Sequence, residues 1–115
     1  MKDNEARKEL KEQYKEQKRL GGVFAIRNTV KNRLLLDATV DLQSRKNRFD
    51  FSMQMGSCID LKLQKDWEVQ GGEGFVFEVL EELAKKETQS EAEFKDDIKL
   101  LKEIWLEKLA GENLY

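Results

Sequence analysis

Groups able to carry chemistry are few in this sequence, and the gaps are informative. None of its 115 residues is a histidine, so the commonest general base and metal ligand is missing. The single cysteine, Cys58, excludes an intrachain disulfide and a multi-cysteine zinc site. No neighbour in sequence lowers its thiol pKa, so an inert thiol is the default. What the chain does carry is charge, and the charge is uneven. Residues 1–65 hold 15 Lys and Arg against 9 Asp and Glu, whereas residues 66–115 hold 6 against 14. A basic half of this kind suits a polyanion, because phosphate contacts require only positive charge at phosphate spacing. Arg27, Lys31, Arg33, Lys46, Arg48, Lys62 and Lys65 form the candidate nucleic-acid face. The alternative is two solvated surfaces that balance each other. Phe49 and Phe51, among these cations, are either base-stacking rings or part of the core.

A chain of 13.5 kDa supports one domain, and its apolar spacing divides it into seven elements. Residues 3–20 read as a largely solvated helix with a thin stripe through Leu10 and Tyr14, stopped by Gly21-Gly22. Val23 to Thr29 and Arg33 to Thr39 read as strands joined by a turn at Lys31-Asn32, a hairpin. Residues 41–52 have the length of a short helix but poor apolar spacing. Ser57 then precedes an Ile59–Leu63–Trp67 stripe, a helix that Gly71-Gly72 ends. Residues 74–81 alternate as a strand. Ser90 and Glu93 form a capping box before Phe94, Ile98, Leu101, Trp105 and Leu109, one face of a closing helix. The order α-β-β-α-α-β-α predicts an α/β (α+β) fold, with a small, mainly antiparallel three-stranded sheet flanked by helices.

The hairpin carries a resemblance. Gly22-Val23-Phe24 opens its first strand, and Leu35-Leu36-Asp37 follows eleven residues after Phe24. Arg45 stands eight residues beyond the second tripeptide. Phe75-Val76-Phe77-Glu78-Val79-Leu80-Glu81 and Ile104-Trp105-Leu106-Glu107-Lys108-Leu109 continue the likeness. In order and spacing, residues 21–109 resemble the GIY-YIG nuclease family. That resemblance implies a domain acting on nucleic-acid phosphodiesters, with Arg45 at the phosphate-binding arginine. It implies one divalent metal on a glutamate of the last helix, and a tyrosine or histidine that helps to activate water.

The positions that match those roles are substituted. Phe24 and Leu35 replace tyrosines and lose their hydroxyls. Asp37 replaces a glycine and brings a charge that repels phosphate. Phe49 and Cys58 stand where histidines occur. Lys102, three residues before Trp105, stands where the metal-binding glutamate belongs, and an ammonium has no lone pair to give a cation. The expectation is therefore a catalytically inactive domain with Arg45 as a retained phosphate contact, without a cofactor. An active, divergent nuclease is the alternative. It would take Mg2+ or Mn2+ on Asp37 or Glu103, with Tyr14 folded over the site. A protein-interaction module without nucleic acid is the third reading. Lys102 pairs with Asp37, or joins Arg45 as an anion site.

No apolar run approaches the roughly 20 residues of a membrane span, and the N-terminus does not read as a secretory signal. The expectation is a cytoplasmic protein with DNA or RNA as a weak partner. Residues 1–20 are expected to pack as a helix on the domain of residues 21–109. Glu112-Asn113-Leu114-Tyr115 resembles a protease-tag recognition sequence, so residues 110–115 read as a tag remnant in which Tyr115 has no role.

Overall fold

Strict alternation of apolar side chains places the centre of the molecule. In β1 (Leu20–Asn28), Phe24 and Ile26 point to one side and Val23 and Ala25 to the other, and all four are buried. Successive side chains of an extended chain leave on opposite faces, so burial of both sets requires cover on both faces. β2 (Arg33–Thr39) pairs antiparallel with β1, setting Phe24 opposite Asp37 and Ile26 opposite Leu35. β3 (Phe75–Ala84) pairs antiparallel with the other side of β1, giving the order β2-β1-β3. The computed structural model describes residues 20–58 and 60–115. The expected N-terminal helix, with Leu10 and Tyr14, lies outside the described residues, as does Ile59.

Helices supply the cover. α1 (Leu42–Met55) and α2 (Leu61–Gln70) bring Leu42, Leu63 and Trp67 onto Phe24, Ile26, Leu35 and Phe75. Across the sheet, α3 (Glu91–Lys108) lays Leu101 and Trp105 against Val23, Ala25, Leu34 and Leu36. The result is the three-stranded antiparallel α+β fold predicted above. α3 starts where its capping box requires: Ser90 Oγ accepts from Glu93 N at 3.1 Å, and Glu93 Oε1 accepts from Ser90 N at 3.3 Å. α1 is longer than its weak apolar spacing predicts. Asp41 caps its first turn by accepting from Ser44 N at 3.1 Å, and Gly56 ends it in the left-handed conformation at φ 70°. No helix among the described residues is long and apolar enough to cross a membrane.

Two expectations change. Gly21-Gly22 does not stop a helix; both glycines lie inside β1. At Gly22 the backbone has φ 154°, and an added Cβ would lie 2.0 Å from the Glu81 carbonyl oxygen. The glycine is there for close backbone approach, beside a bulge. Val23 faces Glu81 and Phe24 faces Val79, which leaves Leu80 as the extra residue of β3. The alternation expected of residues 74–81 holds up to the bulge: Val79 stays on the face of Phe77, opposite Phe24, though it is half-exposed, and Leu80 packs on the other face towards α3. Ser57 does not cap α2 either; Asp60 is the N-cap residue, without a side-chain capping bond.

The C-terminal residues are tied to the sheet. Leu34 N donates to Asn113 O and Tyr115 N donates to Leu34 O, both at 3.0 Å, which sets Leu114 beside Leu34 in a parallel bridge. Tyr115, expected to have no role, completes a buried polar network. Asn28 is fully buried, and a buried amide needs partners. Its Nδ2 donates to Gln70 Oε1 at 3.0 Å and to Tyr115 Oη at 2.8 Å, and its Oδ1 accepts from Val30 N, Lys31 N and Gln70 Nε2. Tyr115 Oη donates in turn to Asp66 Oδ2 at 2.6 Å, and Lys31 Nζ lies 2.6 Å from Asp66 Oδ1.

The network has a pH signature. The Lys31 hydrogen bond, then that of Tyr115, holds the Asp66 carboxyl below the usual carboxylate range. Burial, then the Asp66 bond, pushes the Tyr115 hydroxyl up. A lowered acid stabilises the fold above its ordinary value near about 4 and loses that stability as pH falls through the folded value. A raised tyrosine stabilises the fold below about 10 and loses that stability as pH rises through the folded value. Denaturant midpoints measured against pH will therefore fall at both ends, and Tyr115→Phe will remove the alkaline fall while leaving part of the acid one through Lys31. Separately, Gly22→Ala will lower the unfolding free energy by about 2–4 kcal/mol in chemical denaturation, because the clash is with backbone.

Candidate functional site

Asp37 is the centre of a chain of alternating charges. β2 places it opposite Phe24, on the face that α1 and α2 cover. Arg45, in the first turn of α1, brings Nη2 to 3.7 Å from Asp37 Oδ2 and 3.3 Å from Asp60 Oδ1. Lys102 approaches from α3, across the edge of β2, and sets Nζ 3.4 Å from Asp37 Oδ1. Of the two arrangements left open for Lys102, the geometry contains the pair with Asp37. Asp60 was not singled out in the sequence. It stands fifteen residues beyond Arg45, and only the fold of the α1–α2 connection joins them.

This chain borders an open depression of about 340 Å³ lined by Leu35, Leu36, Asp37, Arg48, Asp60, Leu61, Lys62 and Lys102. Arg45 lies behind Asp37 and Asp60, its guanidinium 5.0 Å from the Phe24 ring centroid. Counting Arg45, four cations meet two carboxylates here, so the local balance is positive.

Of the apolar residues at the matched positions, Leu35 lines the depression and Phe24 and Phe49 lie in the core. Phe24 is fully buried and stacks on Phe77 at 5.0 Å. Leu35 is buried in the same cluster. Phe49 meets Trp67 edge-on at 6.1 Å and Phe77 at 5.8 Å, which makes it a core ring. Cys58 packs against this cluster, its Sγ 3.5 Å from Asp60 O, and burial pushes its thiol up. A raised thiol is a poor nucleophile at neutral pH.

The other basic candidates divide into two sets. Arg27 pairs with Glu78 at 3.3 Å, Lys31 with Asp66 at 2.6 Å and Lys46 with Asp50 at 3.3 Å. Arg33 lies 4.0 Å from Asp66 and 4.1 Å above the Tyr115 ring, at the far end of the hairpin from Asp37. Arg48, Lys62 and Lys65 are exposed and form no ion pair among the described residues. Arg48 and Lys62 line the depression; Lys65 follows on the exposed face of α2, one turn from Lys62.

The architecture around this depression has solved counterparts. The chain superposes on the catalytic domain of homing endonuclease I-TevI with a TM-score of 0.56 and 22% identity, over 78% of this chain and 88% of that one. It superposes on a glutamate-to-alanine mutant of the catalytic domain of intron endonuclease I-TevI with a TM-score of 0.57 and 24% identity, over 79% and 84%. The fold is that of a GIY-YIG endonuclease catalytic domain. No protein-family model and no curated protein matches the chain.

The donor set of this GIY-YIG-like depression does not fit a divalent ion. Magnesium takes carboxylate and water oxygens in an octahedral shell. Here Asp37 is engaged by an ammonium and a guanidinium, and Asp60 by the same guanidinium. Glu103, next to Lys102 on α3, is exposed and lies about 100° around the helix from it. No group of three or more potential ligands converges among the described residues.

The Asp37–Lys102 pair is testable as a coupling. Both side chains are more than a third exposed, so the interaction is a modest one. Asp37→Lys and Lys102→Asp will each destabilise the protein. In chemical denaturation the exchanged pair will be less destabilised than the sum of the two by about 0.5–1 kcal/mol. Additive losses would show that the two charges do not interact.

Proposed function

We propose that this domain binds nucleic-acid phosphates at the depression beside Asp37 and does not hydrolyse them. The observation that carries the reading is Lys102 Nζ, 3.4 Å from Asp37 Oδ1. A cation stands where the resemblance puts the metal-binding carboxylate, and the glycine position has become its counter-ion. A fixed ammonium supplies part of the charge neutralisation that a metal would supply to a phosphoryl oxygen. It supplies neither a bound water of lowered pKa nor a Lewis acid. Phe24, Leu35 and Phe49 support the same reading, since none can take a proton from water.

Binding in this reading is electrostatic. Arg48, Lys62 and Lys102 face the phosphates, with Lys65 at the margin. Arg45 acts from behind by neutralising Asp37 and Asp60. Asp37 limits affinity, because it occupies two of the cations and repels phosphate itself. The domain thus has a built-in counter-charge that keeps the interaction weak.

The test is anisotropy of labelled oligonucleotides across a salt series, with a parallel cleavage assay in Mg2+ and Mn2+. Affinity will fall with salt, with a log–log slope of about −3 for three or four neutralised phosphates. Lys62→Ala will flatten that slope, Arg45→Ala will weaken binding by freeing the charges of Asp37 and Asp60, and Asp37→Asn will tighten binding several-fold. EDTA will not weaken binding, and no cleavage product will form. A product in either metal would overturn the inactive assignment. Undetectable binding at low salt would overturn the nucleic-acid reading and leave the fold as a protein-interaction scaffold.

A further inference from the structure

The depression has an apolar border that phosphate binding does not use. On α1, Phe51 and Met55 follow Arg48 at i+3 and i+7, so the three share one flank of the helix. Phe51 is 53% exposed and Met55 is 63% exposed. Leu61, which lines the depression beside Lys62, is 84% exposed. The contrast with Phe49 is sharp. Two residues earlier on the same helix, that ring sits in an aromatic cluster, while Phe51 has no ring contact among the described residues. An uncovered phenyl ring costs free energy in water. This one lies one turn along α1 from Arg48, about 4.5 Å of axial rise.

The neighbours of this ring indicate its occupant. Arg48 stands one turn before it on α1 and lines the depression together with Lys62 and Lys102; Arg48 and Lys62 are exposed and without a carboxylate partner among the described residues. An apolar ring bordered by uncompensated cations is complementary to a ligand with a flat π-face joined to an anion. A nucleotide has that chemistry. In a duplex, base faces are covered by their neighbours, and a protein ring reaches one only where the stack is opened. In a single strand each base offers a face, and an aromatic platform beside a positive groove is the general solution for holding it.

We infer that the α1 flank is a stacking platform for single-stranded nucleic acid, with Phe51 against an unpaired base and the adjoining phosphates in the depression beside Arg48, Lys62 and Lys102. This rests on the phosphate-binding reading above and adds the strandedness of the ligand to it. The ring contributes independently of salt, since stacking releases no counterions, whereas the cations contribute the salt-dependent part.

The experiment compares three fluorescein-labelled probes of equal length by anisotropy: a thymidine single strand, a duplex, and an abasic strand of the same backbone. The single strand will bind about tenfold more tightly than the abasic strand, and more tightly than the duplex. Phe51→Ala will weaken single-strand binding by about tenfold without changing its salt slope, and will leave abasic and duplex binding unchanged. Phe51→Trp will restore it. Because Phe51 is largely exposed, an unchanged thermal midpoint will show that the alanine variant is folded. Equal affinity for the single and abasic strands, or no effect of Phe51→Ala, would overturn the stacking platform while leaving phosphate binding intact. Loss of binding to all three probes in the unmodified protein would overturn both.

Discussion

Asp37 ties together three helices at one side chain. One carboxylate on an edge strand accepts charge from α3 through Lys102 and from α1 through Arg45, and Arg45 passes the link on to Asp60 at the start of α2. Elements on both faces of the sheet therefore meet at a single side chain. The energy of each pair is small, because all four groups retain contact with water. The geometric effect is larger than the energetic one. Neither cation can move to meet a ligand without altering the other's partner, so the charges of the depression behave as one set.

The residues at the matched motif positions are built into the core beside the depression. Phe24, Leu35 and Phe49 are continuous with the core that holds α1 and α2 on the sheet. A hydroxyl or imidazole at those depths needs a hydrogen-bond partner, and a burial that fails to provide one costs about 1–3 kcal/mol. Phenyl and isobutyl groups remove that requirement and add dispersion contacts. The stack of Phe24 on Phe77 and the edge contact of Phe49 with Trp67 are the visible result. At these positions the side chains are packing, beside a concave surface.

How much of this was legible in the sequence differs from element to element. α3 was legible because two independent local signals agree, a capping box and a five-residue apolar stripe. The hairpin was legible from its register-compatible runs, and the Asp37–Lys102 pair from complementary substitutions at matched motif positions. Gly21-Gly22 was misread because glycine serves equally as a helix stop and as room for a neighbouring strand, and only β3 distinguishes the two. The bulge at Leu80 leaves no local signature in a run of apolar residues. Asp60 and the Asn28–Gln70–Tyr115 network are non-local, joined across fifteen to 87 residues. No periodicity encodes a contact of that kind. Phe49 and Phe51 were indistinguishable by type, and the rotation of α1 against the core separates them.

Net charge is a poor guide to what such a surface attracts. The whole chain carries −2, which by itself argues against a polyanion. The charge that a phosphate meets is the charge within about a Debye length, about 8–10 Å at physiological ionic strength. At the depression itself stand Arg48, Lys62 and Lys102 with Asp37 and Asp60, and Arg45 pairs with both carboxylates. The carboxylates Glu78, Asp66 and Asp50 are occupied with Arg27, Lys31 and Lys46. Those pairings shape the surface field even though they lie off the depression. Each removes from the basic half a cation that would have broadened the positive field, and each neutralises a carboxylate that would have weakened it. What remains uncompensated is narrow, shallow and adjacent to an exposed ring. A surface of that form suits a short stretch of a flexible strand better than the rigid, evenly charged face of a duplex.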